Sequence, residues 1–209
     1  LYFHKLNPFS TQKNQKQKRD TLSLWGKVLI ATVPAGIIGL LFEEKINALF
    51  YNPTTVAITL IVYGVGFIVV ESQKRKGRIR SFAQMSARTA ALIGVFQVLA
   101  LIPGTSRSGA TILGAVMLGC TRTVAAEFSF FLAIPVMLGA SGLKLIKYAD
   151  LLVGPQLLTL LVGTVVAFVV SLFAIRFLMK FIQTHTFKPF GYYRIVLGVA
   201  VLLYFYVLA

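Results

Sequence analysis

Arginine, hydroxyl and glycine residues crowd into one short stretch of an otherwise apolar chain. The segment IPGTSRSGATILG, residues 102–114, places Arg107 between Ser106 and Ser108, with apolar runs of helical length on both sides. An arginine that faces lipid at the bilayer centre costs about 2.5–3.5 kcal/mol on insertion scales. A forked guanidinium among hydroxyls can instead bind an anion, and phosphate matches that geometry best. The stretch therefore predicts a phosphate-binding site.

The neighbouring residues fit the same chemistry. Glycines allow backbone N–H groups to approach a ligand, and Ser108 is the predicted N-cap of the following helix, whose positive dipole end then faces the turn. The predicted ligand-binding set around Arg107 comprises Gly104, Thr105, Ser106, Ser108 and Gly109. One alternative stays open, in which a buried carboxylate neutralises Arg107 and the arginine only holds a capped turn.

Two more polar residues interrupt the apolar runs near this stretch. Glu127 is a carboxylate inside a spanning run, which is functional by default and needs a partner, for which Arg107 or Arg122 is available. The alternative is a structural ion pair. Gln97 lies five residues before Ile102 and is predicted either to reach the ligand or to bind a neighbouring helix.

The usual parts of a hydrolytic site are sparse. The two histidines, His4 and His185, lie in the N-terminal stretch and in a basic loop. The sequence has no Gly-x4-Gly-Lys-Ser/Thr loop for ATP and no carboxylate pair at helical spacing that would hold Mg²⁺ or Ca²⁺. Cys120 is the single cysteine, which excludes an intrachain disulfide, and we predict that it is a packing residue.

Membrane-spanning helices are the elements that must position these residues. The 209-residue chain is 57% hydrophobic and 13% charged, and its apolar runs approach the roughly 20 residues that a spanning helix needs. We therefore predict an all-α polytopic integral membrane protein. The net charge of +15 comes from basic residues between the runs, which indicates cytoplasmic loops and not a nucleic-acid partner. The predicted apolar runs are 22–42, 54–70, 82–102, 110–120, 123–141, 157–177 and 195–208.

The basic loops also predict the topology. Loops 5–27, 74–80 and 176–188 should be cytoplasmic, which leaves the acidic connection 43–53 on the external side. The parity of the spans then requires residues 82–120 to enter and leave the membrane on one side. This makes 82–102, 103–109 and 110–120 a re-entrant helix–turn–helix, whose irregular tip is tolerated only where protein or a wet cavity covers it.

Three segments together resemble a known family. The segments GVFQVLALIPGTSRSGATILGAVMLG and AAEFSFFLAIPVMLGAS closely resemble the undecaprenyl-pyrophosphate phosphatase family, the integral-membrane type linked to bacitracin resistance. The pattern PG-x-SRS-x-x-T at residues 103–111 matches the signature of that family in full, and FKPFGYYR at 187–194 is a weaker third match. The resemblance runs from about Leu22 to the C-terminus.

The resemblance implies a fold and an activity. Members of the family have an inverted repeat with two re-entrant hairpins and a site that opens to the outer face. They hydrolyse undecaprenyl pyrophosphate to the monophosphate in the bacterial plasma membrane, which recycles the lipid carrier for peptidoglycan synthesis, and they use a divalent cation (Mg²⁺ or Ca²⁺). Carried onto this chain, Arg107 clamps the pyrophosphate, Ser106, Ser108 and Thr111 bind its oxygens, and Glu127 is a supporting carboxylate. A homodimer is left open.

One part of the family pattern is missing. The N-terminal motif with two glutamates four residues apart and a Ser/Thr-Gly-His segment occurs nowhere in these 209 residues, and the chain does not begin with Met. We therefore expect an N-terminally truncated single membrane domain, with a helix stub and basic connector at 1–21 and the transmembrane region at 22–209. Metal ligands, nucleophile and base are then expected upstream of Leu1, and this stretch alone should be inactive.

Two other functions stay open on the sequence. A phosphate-binding re-entrant tip also suits a lipid-phosphate transporter or flippase, because re-entrant hairpins and inverted repeats are common in transporters. An inactive membrane scaffold is the third reading, and the intact signature gives it little support.

Overall fold

The computed structural model describes residues 3–10, 13–73, 77–149 and 154–208. Within these ranges the chain forms α-helices joined by short turns. Four of them, α2, α3, α6 and α7, and the helical stretch Lys188–Val207 that begins with α8 are long and apolar enough to cross a membrane, which confirms the all-α polytopic class. The helices are α1 Phe3–Leu6, α2 Gln15–Phe50, α3 Pro53–Ser72, α4 Ala87–Val98, α5 Arg107–Met117, α6 Arg122–Lys147, α7 Pro155–Thr184 and α8 Lys188–Leu203.

Side-chain caps explain where most of these helices begin. The N-caps of α2, α3, α4 and α6 each accept a hydrogen bond from an N–H group of the first turn, and α2 has a full capping box with Gln17. Such caps satisfy N–H groups that have no acceptor inside the helix. The capping residues are Asn14, Asn52, Ser86 and Thr121.

Several helices extend beyond their predicted ends. The polar connection predicted at 43–53 is helical through Phe50, because helix-forming residues fill it and no glycine or proline occurs before Pro53. The basic loop predicted at 176–194 is likewise mostly helix, with only His185 to Phe187 between α7 and α8. In the basic loop predicted at 74–80, residues 74–76 lie outside the described residues.

The segment between α3 and α6 forms a helical hairpin. Its limbs are α4, which a 3₁₀ turn at Leu99–Leu101 prolongs, and α5. With 15 and 11 helical residues, the limbs reach about 22 and 16 Å at 1.5 Å per residue, well short of the bilayer core of about 30 Å. The two open ends meet, since the N–H groups of Arg78 and Ile79 bond the Gly119 carbonyl at 2.8 and 2.9 Å. This is the geometry that a re-entrant hairpin needs; its position in a bilayer and the inverted repeat stay predictions.

The helices pack as two units, and the hairpin belongs to the first of them. Buried residues such as Val28, Ile93, Ala115 and Phe128 form the core where α2, α4, α5 and α6 meet. The second unit is the antiparallel pair of α3 and α8, in which a Cβ added to Gly64 would lie 2.7 Å from the Gly191 carbonyl. Small residues that let helix backbones approach closely are typical of helix pairs in membranes.

Candidate functional site

The turn between α4 and α5 lies close to one end of α3. A Cβ on Gly104 would come within 2.2 Å of Thr59 Oγ1 and 2.5 Å of the Val56 carbonyl, and Gly104 has a φ of +85°. Glycine is therefore required here by helix packing and by backbone conformation, and the ligand-binding role of Gly104 stays a prediction. Since α3 begins at Pro53, these contacts lie about 5–9 Å along its axis from that end. The turn thus lies between the predicted external end and the middle of α3.

Ser106 caps the helix that carries the signature. Its Oγ accepts a hydrogen bond from the Gly109 N–H at 3.4 Å, and α5 begins at Arg107. The prediction that Ser108 is the N-cap was therefore wrong: Ser108 occupies the first turn of the helix, where its own side chain cannot reach the N–H groups that a cap binds. Ser106 has a φ of +67°, and a residue other than glycine in this region carries about 1–3 kcal/mol of strain that is typical of functional sites.

The start of α5 presents several free donors together. The hydroxyl oxygens of Ser106 and Ser108 lie 3.3 Å apart, on either side of Arg107 in sequence, and Ser106 is exposed. The N–H groups of Arg107 and Ser108 open the helix, so they have no acceptor within it. Helix N-termini with free N–H groups favour anions through hydrogen bonding and the helix dipole. The structure therefore supports an anion site at this end of α5.

Arg107 has no carboxylate partner among the described residues. Its one side-chain hydrogen bond there goes from an Nη1–H to the Ser129 carbonyl at 3.5 Å. Glu127 instead accepts two hydrogen bonds from Lys5 at 2.7 and 2.9 Å, and Arg122 pairs with Glu71. The prediction that Arg107 or Arg122 is the partner of Glu127 was wrong, because a lysine distant in sequence occupies that carboxylate.

Thr111 is engaged inside the protein. Its hydroxyl lies 2.7 Å from the Ser129 hydroxyl and also donates to the Arg107 carbonyl at 2.9 Å, and both hydroxyl residues are buried. The contact fastens α5 to α6 directly beneath the anion site. Sequence reasoning missed Ser129, although a small polar residue in the run EFSFF was an available signal. The role of Thr111 as a phosphate ligand stays a prediction.

Arg194 is a second arginine at the turn, and sequence reasoning missed it. Its Nη2 group donates to the carbonyls of Gly104 and Thr105 at 2.6 and 2.9 Å, and its guanidinium carbon lies 5.8 Å from the Tyr63 ring centre. Arg194 lies in the second turn of α8. The signal available was an arginine within the apolar segment GYYRIVLG.

Buried polar atoms without partners surround this turn. Gln97 is 2% exposed and Thr105 is 1% exposed. Among the described residues, no hydrogen-bond partner is found for Oε1 and Nε2 of Gln97, Oγ1 of Thr105 or Nε of Arg194. The predicted interhelical hydrogen bond of Gln97 is therefore absent. A Cβ on Gly109 would make ordinary contacts at 3.4 Å from Ser106 Cβ and 3.7 Å from Arg194 Nη1, so there is room between the serine and the arginine.

The described residues do not fit a metal ion. Among them, no three histidine, cysteine, aspartate or glutamate residues lie close enough to share one. Glu127, the carboxylate nearest in sequence to the signature, is occupied by Lys5. The divalent cation that the resemblance implies stays a prediction.

Comparison with known proteins supports the family resemblance. Residues 1–200 match the family described as bacitracin resistance protein BacA. Undecaprenyl-diphosphatase 1 of Clostridioides difficile (strain 630) is 58% identical over 208 residues, which cover 100% of this chain and 76% of that protein. The undecaprenyl-diphosphatase of Acetivibrio thermocellus is 58% identical over 98% of this chain and 76% of its own length. That of Desulfitobacterium hafniense is 53% identical, over 98% and 75%.

Proposed function

We infer the function of this chain from its family. It belongs to the bacitracin resistance protein BacA family, and it is a phosphatase of the hydrolase class. We propose that it hydrolyses undecaprenyl pyrophosphate to undecaprenyl phosphate and inorganic phosphate. The match over residues 1–200 includes the whole turn and both hairpin limbs. The membrane helices suit a substrate whose long apolar tail stays in the bilayer.

The arrangement at the start of α5 is the observation that carries this proposal. Arg107, which has no carboxylate partner in the described part of the chain, stands between two hydroxyls at an open helix N-terminus. The guanidinium can hold two phosphate oxygens as a fork, while the hydroxyls and the free N–H groups bind others. Donors that are fixed before the reaction stabilise charge that develops on the phosphoryl oxygens and on the leaving phosphate.

Contacts with two neighbouring helices hold the turn itself in position in this proposal. Arg194 ties two turn carbonyls to α8, and the Thr111–Ser129 contact ties α5 to α6. Such rigid support matters because a displacement of about 1 Å at a reacting group can cost about a hundredfold in rate. Glu127 remains proposed as a supporting carboxylate, and its pairing with Lys5 gives it a defined position.

The cellular role is part of the same proposal. Removal of one phosphate from undecaprenyl pyrophosphate recycles the lipid carrier of peptidoglycan synthesis, and a larger capacity for this step supports resistance to bacitracin. The protein is then a multi-pass protein of the bacterial plasma membrane, with helices α2, α3, α6, α7 and α8 as its candidate spans. A homodimer and a divalent cation stay part of the proposal.

Phosphate release in proteoliposomes tests the proposed reaction. The full-length protein should release inorganic phosphate from undecaprenyl pyrophosphate and much less from undecaprenyl monophosphate, because the anion site binds a terminal phosphate joined to a second one. Arg88→Lys is the matched control for Arg107→Lys. Arg88 is exposed in the first turn of α4, so this variant should retain activity. Transfer of the intact lipid pyrophosphate across the bilayer without phosphate release would replace the phosphatase by a transporter.

A further inference from the structure

A cavity of about 960 Å³ opens at the opposite end of α5 from the proposed phosphate site. It lies between the last turns of α3 and α5 and the connection from α7 to α8. Since α5 has 11 residues, about 15 Å along its axis separates the cavity from Arg107. This is the end at which the predicted cytoplasmic loops lie.

The polar wall of the cavity carries donors that nothing in the described chain uses. Lys188, Thr123, Thr186 and Gln183 line it, and their side chains have no hydrogen-bond partner among the described residues. A lysine and two hydroxyls directed to one space suit an anion with several oxygen atoms.

Among the described residues that line the cavity, the charges leave an excess of one positive charge. Glu71, the carboxylate that lines the cavity, is nearly buried and binds Arg122 through both oxygens, with Nε to Oε1 at 2.8 Å. This pair cancels in formal charge, whereas Lys188 has no carboxylate partner in the described ranges. Arg122 is 44% exposed, and its second terminal nitrogen is not used in the ion pair. An anionic occupant is therefore favoured over a neutral one.

Another part of the cavity lining, the apolar wall, continues onto the outside of the bundle. Val69, Val116 and Met117 line it, and Val69 and Met117 are 49% and 51% exposed. In a membrane protein such half-exposed apolar side chains face lipid. The cavity thus joins a positively charged polar end to a surface that an acyl chain can follow.

We propose that this cavity binds an anionic phospholipid. The phosphate of the headgroup binds Lys188 and the spare N–H groups of Arg122, and the adjoining acyl chain lies along Val69 and Met117. Basic pockets between transmembrane helices on the cytoplasmic side recognise anionic headgroups in this way. A free phosphate would leave the apolar wall unused, and a zwitterionic lipid would gain less from the excess positive charge.

Lipid binding by the full-length protein tests the proposal, with phosphatidylglycerol and phosphatidylcholine titrated separately and followed by native mass spectrometry. Phosphatidylglycerol should bind about fivefold more tightly than phosphatidylcholine, since one basic group near an anionic lipid contributes about this factor. Lys188→Gln should remove the preference. The matched control is Lys144→Gln, because Lys144 is exposed in the last turn of α6 at the other end of the bundle and should change nothing.

A second variant separates a lipid from a free phosphate. Val69→Phe fills the apolar wall and should weaken phosphatidylglycerol binding. This variant should still bind phosphatidylglycerol more tightly than phosphatidylcholine. Inorganic phosphate that competes with the lipid and is insensitive to Val69→Phe would overturn the proposal, as would equal binding of the two lipids by the unaltered protein. If Lys188→Gln does not fold, Lys188→Arg keeps the positive charge on the same wall and should keep the preference, and loss of the preference in that variant would also contradict the proposal.

Discussion

Replacement of Arg107 by lysine separates a phosphate clamp from a structural arginine. Lysine keeps the charge but loses the planar fork, and the two residues are not interchangeable at a bidentate site. We expect Arg107→Lys to lower kcat/KM at least tenfold in the full-length protein, which corresponds to about 1.4 kcal/mol of transition-state stabilisation. Arg107→Ala should lose more, because the charge is removed as well.

The contacts of Arg107 also predict what happens to stability. Its one side-chain hydrogen bond among the described residues is 3.5 Å long, so the loss of that bond should cost less than about 1 kcal/mol. Neither substitution strands a carboxylate, because Lys5 holds Glu127. The melting temperatures of Arg107→Lys and Arg107→Ala should therefore stay close to that of the unaltered protein.

Arg194 provides the matched comparison within the same turn. It makes two short hydrogen bonds to carbonyl oxygens, at 2.6 and 2.9 Å, and bonds from a charged donor contribute about 1.5–3 kcal/mol each. Arg194→Ala should therefore lower the melting temperature as well as the activity, whereas Arg107→Ala should lower the activity alone.

Both properties are measured on the same preparations. Phosphate release from undecaprenyl pyrophosphate in detergent gives kcat/KM, and intrinsic fluorescence of the protein gives the melting temperature. Near-normal activity in Arg107→Lys, together with a collapsed melting temperature in Arg107→Ala, would refute the clamp. The arginine would then hold the turn.

Three further results are expected. Gly104→Ala should lower the melting temperature and the yield of folded protein, because its Cβ would lie 2.5 Å from the Val56 carbonyl at a positive φ; a fully active and stable variant would contradict the packing of the turn on α3. In a Cys120→Ser background, an impermeant maleimide on intact cells should label a cysteine at exposed Asn47 but not one at exposed Gln73, and the reverse pattern would overturn the predicted sidedness. Native Cys120 should resist the same reagent in detergent at neutral pH, because burial raises the pKa of its thiol to about 11; rapid labelling would show that this corner opens.

Local chemistry explains why the sequence alone predicted so much. Hydropathy over about 20 residues depends only on neighbours in the chain, so the membrane class and the existence of the spans followed from composition and run length. The hairpin was predicted from the sidedness of the basic loops, because the parity of the spans required residues 82–120 to enter and leave on one side. Span ends were less accurate because they depend on caps such as Asn14, which starts α2 at Gln15, well before the apolar run.

At the predicted anion site, too, the residue types were informative and the backbone geometry was not predictable. The types and spacing of Ser106, Arg107 and Ser108 were sufficient to predict a helix start among hydroxyls, and anion recognition there stays a prediction. The choice of cap was not predictable, because either serine can cap in principle and only the backbone at Ser106, with its positive φ, places that hydroxyl on the Gly109 N–H. The backbone conformation at Ser106 therefore decided which serine is the cap.

The charge partners were decided by tertiary structure alone. Lys5 reaches Glu127 across 122 positions, Arg122 reaches Glu71 across 51, and Arg194 reaches the Gly104 carbonyl across 90. Spacing along one helix predicts neighbours three or four residues apart, but it carries no information on which distant helices pack together. The sequence by itself determined a membrane protein with an arginine and hydroxyls at a helix start. The packing of α3, α6 and α8 around that start determined which arginine is paired, which holds the turn, and which has no carboxylate partner among the described residues.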